Sequence, residues 1–208
     1  MLHDDLVAVT SQDKSIILLL EVTPDLSLFK KINTGRLYRG VACGGKDGKL
    51  IVSCSADDGN PAKVDKIERN GEVSQAESIK LPPKTDPRFL CVVGNDVLVS
   101  DKESNSVLRV DWNAQIKARY TDNDLKSPRQ LATDQDGNIY VATRGGRAVL
   151  MLQPGGKCRK LLDGNKHGIG NCSRGQSVAV TARNMVVVVW AARNDSCVVA
   201  GYNLNIAT

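Results

Sequence analysis

Aromatic residues are scarce in this sequence of 208 residues, where Phe, Trp and Tyr together make up 4%. Val, Ile and Leu dominate instead, and β-branched residues in short runs favour strands. The longest apolar runs begin at Ile16 and Met185, and both are far shorter than the roughly 20 residues that span a bilayer as a helix. The acidic N-terminal segment has no basic flank before an apolar run, so it does not resemble a secretory signal. We therefore expect a cytoplasmic protein without a membrane partner.

Residues that bind metals are also few. The sequence has two histidines, His3 and His167, and six cysteines, none of them in CxxC spacing. A catalytic or structural metal needs several His, Cys, Asp or Glu side chains that converge, and the pattern predicts reduced thiols with no metal and no cofactor. The DQDGN segment at Asp134 lacks the later Glu of a calcium loop, and GGKDGK at Gly44 lacks the Lys-Ser/Thr pair of a phosphate loop. Both segments are predicted to be β-turns.

A turn followed by an apolar strand recurs five times along the chain. The first strand residues of these copies are Leu6, Leu50, Val97, Ile139 and Met185, which are 44, 47, 42 and 46 residues apart. Self-similarity at this period indicates a propeller or a solenoid. Each copy can be completed to four antiparallel strands, of which the fourth is the most polar, as an outer edge should be.

The pattern therefore predicts an all-β protein, a β-propeller that forms one domain over residues 1–208. Its five blades are predicted to have three, four, four, four and three strands, or 18 in total. The predicted boundaries are residues 1–35, 36–83, 84–126, 127–172 and 173–208.

The fourth copy is the most specific. Its PRQLATDQDGNIYVATRGGRAVLMLQPGG resembles an NHL repeat. With TGRLYRGVA and YTDNDLKSPRQLATDQDGNIYVAT, nearly the whole chain resembles the C-terminal propeller of invertebrate tripartite-motif (TRIM)-like proteins. The resemblance implies an NHL-type propeller with a six-bladed parent, of which about 4.5 blades are present here. It also implies a substrate-binding role in ubiquitination, although the sequence contains no RING or B-box pattern.

Two arrangements of the blades are open at this point. An incomplete, open propeller would expose the flanks of its first and last blades, and a contracted five-bladed propeller would close. In the open form the apolar run Met185–Ala192 would lie near a flank, where an uncharged strand without proline favours self-association.

The candidate binding face is formed by the segments at one end of the blades. The residue before each first strand is basic in three consecutive blades and polar in the next: Arg39, Arg88, Arg129 and Gln176. The loops between the second and third strands share this end and contribute Lys102, Arg144, Arg147 and Arg193, and the one aromatic side chain beside the arginines is Tyr38.

Three functions agree with this face. The preferred interpretation is a non-catalytic module that recognises a protein or peptide ligand. RNA binding is the second, because arginine pairs with phosphate and stacks on bases, and residues 111–208 have 13 basic against 7 acidic side chains. A lactonase or lyase, as the wider propeller relatives imply, is the third and the least supported. Alternatively, the arginines pair with loop carboxylates and have only a structural role; the candidate partners are Asp57, Asp58, Asp86 and Asp101.

Overall fold

A computed structural model describes most of the chain: residues 6–11, 13–44, 48–57, 60–68, 70, 72–167, 172–181, 185–192 and 196–203. Within these residues the fold is all-β, with 18 strands and one short helix, α1 (Gly164–His167). No helix in the described residues has the length and apolar character of a membrane span.

The strands form five separate antiparallel sheets, in which neighbours in sequence are neighbours in the sheet. Blade 1 consists of β1 (Leu6–Ser11), β2 (Ile16–Glu21) and β3 (Ser27–Asn33). Blade 2 consists of β4 (Tyr38–Gly44), β5 (Lys49–Cys54), β6 (Lys63–Ile67) and β7 (Val73–Lys80). Blade 3 consists of β8 (Pro87–Val93), β9 (Asp96–Asp101), β10 (Ser106–Val110) and β11 (Ile116–Thr121). Blade 4 consists of β12 (Pro128–Thr133), β13 (Ile139–Thr143), β14 (Ala148–Leu152) and β15 (Cys158–Asp163). Blade 5 consists of β16 (Arg174–Val180), β17 (Met185–Ala191) and β18 (Cys197–Asn203).

This arrangement is a β-propeller of five blades, and it confirms the predicted fold class and the predicted distribution of the 18 strands. The burial of the strands follows the prediction as well. The middle strands β13 and β14 are buried throughout, whereas the outer strand β11 is mostly exposed. Tight turns join the strands, and Gly94 and Gly137 occupy left-handed conformations in two of these turns, which glycine adopts without a steric cost.

The chain divides into two compact units. One comprises the described residues up to Val99 together with Arg109–Lys117, and the other comprises Ser100–Leu108 together with the described residues from Ala118 onward. The core of the first unit lies between blades 1 and 2 and includes the fully buried Ile17, Leu19 and Leu50.

Gly40 determines how closely blades 2 and 3 approach each other in the first unit. A Cβ atom at Gly40 would lie 3.0 Å from the carbonyl oxygen of Arg88 and 3.1 Å from the Cα of Phe89. Because only glycine lacks a Cβ atom, this residue allows β4 and β8 to pack backbone against backbone.

The core of the second unit lies between blades 4 and 5. Trp190 is fully buried there with Val188 and Tyr140, and its indole Nε1 donates a hydrogen bond of 2.8 Å to the hydroxyl of Tyr202. This bond satisfies the one polar atom of a large aromatic side chain, as burial requires. The strand predicted to lie near an exposed flank, Met185–Ala192, contains β17, which pairs with β16 on one side and β18 on the other. Among the described strands of blade 5, the outer edge is therefore β18.

Candidate functional site

The position predicted to carry the binding arginines is a β-bulge in three blades. The register between the first and second strands shifts between Tyr38 and Gly40 in blade 2, between Pro128 and Leu131 in blade 4, and between Gly175 and Ser177 in blade 5. The residues in these bulges include Arg39, Arg129 and Gln176. A bulge redirects a side chain away from the regular pleat, so the repeat places these three residues at equivalent positions.

In the first unit, Arg88 is held by a carboxylate of its own loop. Its Nε and Nη2 lie 2.9 and 2.8 Å from Oδ2 of Asp86, and the other oxygen of Asp86 accepts a hydrogen bond of 2.9 Å from Ser55. At Arg88 the structure therefore has the structural pairing that the sequence left open as an alternative. Asp57, a second candidate partner, instead forms an ion pair of 3.8 Å with Arg36.

Two further residues of the candidate face differ in their exposure. Tyr38 is 2% exposed and lies in the core of the first unit, which corrects the expectation that its ring lies beside the arginines on the surface. Lys102 is exposed in the loop after β9. Asp101, before it, accepts hydrogen bonds from the backbone of Glu103 and from the hydroxyl of Ser104, so this carboxylate orders its own turn. Arg193 and Asp58 lie outside the described residues.

The second unit contains a pocket that combines two predicted arginines with a third arginine that the sequence did not single out. Its volume is about 300 Å³, at the lower end of the range of ligand sites. We call it the arginine pocket, and its lining residues are Ser127, Arg144, Gly145, Arg147 and Arg174. All three arginines are half-buried residues. The pocket brings together the β13–β14 loop of blade 4, the residue before β12 and the first residue of β16 in blade 5.

Backbone hydrogen bonds fix the wall of the pocket that belongs to blade 4. The amide of Arg144 donates to the carbonyl of Ser127 at 3.2 Å, and the amides of Gly145 and Gly146 donate to the carbonyl of Lys126 at 3.0 and 3.3 Å. The amide of Ser127 in turn donates a bond of 2.7 Å to Oδ1 of Asn105. The loop that carries Arg144 is thus tied to the segment that leads into β12.

Two glycines bring Arg147 and Arg174 to the same pocket. The amide of Gly164 donates a hydrogen bond of 2.6 Å to the carbonyl of Arg147, and a Cβ atom at Gly164 would lie 2.0 Å from the carbonyl oxygen of Ser173. A Cβ atom at Gly175 would lie 3.0 Å from the carbonyl oxygen of Ala148. The start of β16 therefore packs directly on the β13–β14 loop, which places Arg174 beside the arginines of blade 4.

The charge of the pocket is not neutralised by carboxylates of the described chain. In the part of the chain that the structure describes, Arg144, Arg147 and Arg174 take part in none of the ion pairs. The nearest acidic residue in sequence on the Ser127 side, Asp124, is paired with Lys160 at 2.7 Å. Arg147 makes one weak contact, in which Nη1 lies 3.4 Å from Oδ1 of Asn165. Its backbone is left-handed, with φ of 49°, as are the backbones of Ser15 and Asn105, which also directly precede a strand.

Arg174 shows what the sequence reading missed. The repeat aligned Gln176 with the arginines of the earlier blades, and Arg174 lies two residues before it in the same strand. The available signal was Gly175, because a glycine at the start of a strand indicates a close backbone contact. A glycine indicates a close contact but does not identify the partner, which the structure shows to be Ala148 of blade 4.

The DQDGN segment and His167, to which the sequence assigns no metal or catalytic role, make local contacts in the structure. Asp134 of the DQDGN segment accepts hydrogen bonds from the amides of Asp136 and Asn138 and from the hydroxyl of Tyr140. Burial raises the pKa of the Asp134 carboxyl, but these bonds and one from the Asn138 side chain outweigh burial and hold the pKa below its usual range. The ring of His167, the last residue of α1, contacts the backbone of Asp163 at the end of β15. Within the described residues, no group of three or more His, Cys, Asp or Glu side chains is arranged to hold a metal ion.

Comparison with known proteins relates the chain to others through its fold. No protein-family model and no curated protein matches the sequence. Among solved structures, the WD40 β-propeller domain of Doa1 has 14% sequence identity and a TM-score of 0.68, with 95% of this chain and 61% of that chain covered. A structure of the nidogen/laminin complex has 16% identity and a TM-score of 0.66, with coverage of 95% and 73%. A catalytically inactive histidine-to-alanine variant of virginiamycin B lyase from Staphylococcus aureus, bound to quinupristin, has 15% identity and a TM-score of 0.63, with coverage of 99% and 69%. At these identities the likeness concerns the fold alone.

Proposed function

We propose that this chain is a non-catalytic recognition module that binds a protein or peptide partner, with the arginine pocket as the anchor for an acidic group. The observation that carries the proposal is the convergence of Arg144, Arg147 and Arg174 on one pocket, without an ion pair to any carboxylate of the described chain. Guanidinium groups bind carboxylates and phosphates in bidentate geometry and are enriched at interfaces. An acidic partner would supply the charge that the pocket lacks.

Similar structures give this proposal its context. One of the similar structures is that of a complex between two proteins, nidogen and laminin. The resemblance to the propellers of TRIM-like proteins extends the proposal to a role in selecting substrates for ubiquitination, and the RING that performs the ligation would belong to another chain or segment.

A lyase of the virginiamycin type is a weaker candidate for this chain. That lyase loses its activity when one histidine is replaced by alanine. The one histidine among the described residues here, His167, is exposed, and its ring contacts the backbone of Asp163 at the end of β15. None of these contacts positions it as a general acid or base towards the arginine pocket.

The test is a binding measurement with pools of fluorescent peptides rich in Asp and Glu, compared with neutral pools and with a single-stranded RNA. We expect the acidic pool to bind most tightly and the Arg144→Glu, Arg174→Glu double variant to lose this binding. The control is Lys157→Glu with Arg159→Glu, which makes the same change in charge on exposed residues at the other end of blade 4. If only RNA bound, with the steep salt dependence of phosphate contacts, the peptide proposal would be wrong.

A further inference from the structure

We infer that the arginine pocket is a subsite for a single phosphoryl group, presented as phosphoserine or phosphothreonine by the partner polypeptide. This inference rests on the proposed function and specifies its ligand. It follows from the charge of the pocket, from the way its walls are fixed and from the kinds of side chain that line it.

The charge of the pocket exceeds what one carboxylate can balance. Arg144, Arg147 and Arg174 are half-buried residues around a volume of about 300 Å³, so three positively charged residues share a small space. A carboxylate carries one negative charge, whereas a phosphate monoester carries about −1.5 to −2 at pH 7 and has three strong acceptor oxygens. Three guanidinium groups can each pair with such a group, which makes the phosphate the better electrostatic match.

The backbone that presents these side chains is fixed before any ligand binds. Arg144 is anchored through its amide to Ser127, and Arg147 through its carbonyl to Gly164. Arg174 is the first residue of β16 and forms a register pair with Ala191. Because the ordering of these backbones accompanies folding, a ligand has to order only the side-chain ends, and such preorganisation increases affinity.

The remaining lining favours a point-like phosphate over a nucleic acid. Ser127 supplies a hydroxyl, which can donate a hydrogen bond to a phosphate oxygen, and the lining includes no aromatic side chain. Proteins that bind single-stranded RNA combine a basic groove with aromatic platforms for the bases. A pocket with three arginines and without a platform instead suits one phosphoryl group at the end of a side chain.

The experiment compares three degenerate peptide pools that differ only at the central residue, which is phosphoserine, glutamate or serine. Binding to the intact chain is measured by fluorescence anisotropy at fixed ionic strength. We expect the phosphoserine pool to bind at least about tenfold more tightly than the glutamate pool, which corresponds to one charge-assisted hydrogen bond. We expect Arg144→Gln and Arg174→Gln each to reduce this binding by about tenfold or more, and Arg159→Gln to leave it unchanged.

Each other outcome has a distinct meaning. Equal binding of the phosphoserine and glutamate pools would overturn the phosphoryl subsite and leave the acidic recognition module in place. If no pool bound above the serine pool while a single-stranded RNA did, both the subsite and the proposed function would be wrong. Thermal unfolding of each variant shows whether it is folded. As a second measurement, inorganic phosphate should raise the midpoint of the wild-type chain more than that of Arg174→Gln, and an equal effect on both would also overturn the subsite.

Discussion

The hydroxyl of Tyr38 lies 2.9 Å from Oδ2 of Asp65 and donates a hydrogen bond to this carboxylate, whose side chain is fully buried. The same carboxylate accepts a hydrogen bond from Ser78 and forms an ion pair of 2.8 Å with Lys63. The network links β4, β6 and β7, three of the four strands of blade 2. A buried charge is tolerated only when it is paired and hydrogen-bonded, so this network stabilises the blade as a unit.

Replacement of Tyr38 by Phe should destabilise the protein. The change removes one of the hydrogen bonds to the buried Asp65, and such a loss costs about 1–3 kcal/mol in the free energy of unfolding. Because Lys63 and Ser78 still satisfy the carboxylate, we expect the lower half of this range. Urea denaturation measures it. The matched control is Tyr120→Phe, a buried tyrosine whose hydroxyl makes no hydrogen bond within the described residues, and an equal loss in both variants would contradict the role of the Asp65 network.

The hydroxyl of Tyr38 should lose its proton only at a pH above the normal range for tyrosine. Burial raises the pKa of Tyr38 well above its usual value, and the charge and hydrogen bond of Asp65 raise it further. A raised pKa means that the folded state holds its proton more tightly than the unfolded state does. The stabilisation is therefore complete below about pH 10 and is lost as the pH rises above it. A spectrophotometric titration of tyrosinate should show a phase at a pH above the normal range for tyrosine, and this phase should be smaller in Tyr38→Phe. If the phase were unchanged in Tyr38→Phe, it would not belong to Tyr38.

Tyr38 also illustrates where sequence reasoning succeeded and where it stopped. The spacing of the turns predicted five blades and the strand count of each, because turn residues and alternation are local signals. Whether the tyrosine before Arg39 pointed into the core or outward depended on a buried partner, Asp65, 27 residues away. The arginine pocket was predictable only in part, for the same reason. Arg144 and Arg147 lie in one loop and were found from the repeat. Arg174 joins them through a contact between two blades, which no local sequence pattern encodes.

Loss of the Asp134 carboxylate should weaken the protein most at neutral pH. Burial raises the pKa of Asp134, but its hydrogen bonds to Asn138, Tyr140 and Asp136 outweigh burial and lower the pKa overall. A lowered pKa contributes stability that is present above the unfolded value and lost as the pH falls through the folded one. We expect Asp134→Asn to cost about 1–3 kcal/mol at pH 7, and the difference from wild type to shrink as the pH falls from about 5 to about 3. Urea denaturation across this range measures the difference, and a pH-independent difference would contradict the assignment.

Gly146 should tolerate no side chain, although it lies in a surface loop. A Cβ atom there would lie 1.9 Å from the carbonyl oxygen of Asp124 and 2.7 Å from Oγ1 of Thr143. Gly146→Ala must displace backbone that forms the arginine pocket, and overpacking of this kind typically costs about 1–3 kcal/mol. Calorimetry should show a lower midpoint, together with weaker binding of the acidic peptide pool. The control is Gly155→Ala, where a Cβ atom meets nothing within 4 Å, and we expect that variant to unfold like the wild type.

The outer edge of blade 5 should be a site of self-association, at β18 and not at the apolar run of β17. Side chains of β18 alternate between exposed and half-buried, and Val199 is 66% exposed. The corresponding third strand of blade 4, β14, is buried throughout and is covered by a fourth strand. Natural edge strands are usually protected by lysine, proline or bulges, and the CVVAGYN sequence of β18 contains neither of these two residues.

We therefore expect light scattering to show an average mass that rises with concentration for the wild-type chain. Val199→Lys places a charge on this edge and should keep the protein monomeric over the same range, because strands that carry lysine pair poorly with one another. The control is Gln135→Lys, an exposed substitution in the β12–β13 turn, which changes the net charge equally and should associate like the wild type. If the wild type were monomeric at every concentration, the exposed edge of β18 would not be sufficient for association. If both lysine variants were monomeric, the net charge of the protein, and not the edge of β18, would control its self-association.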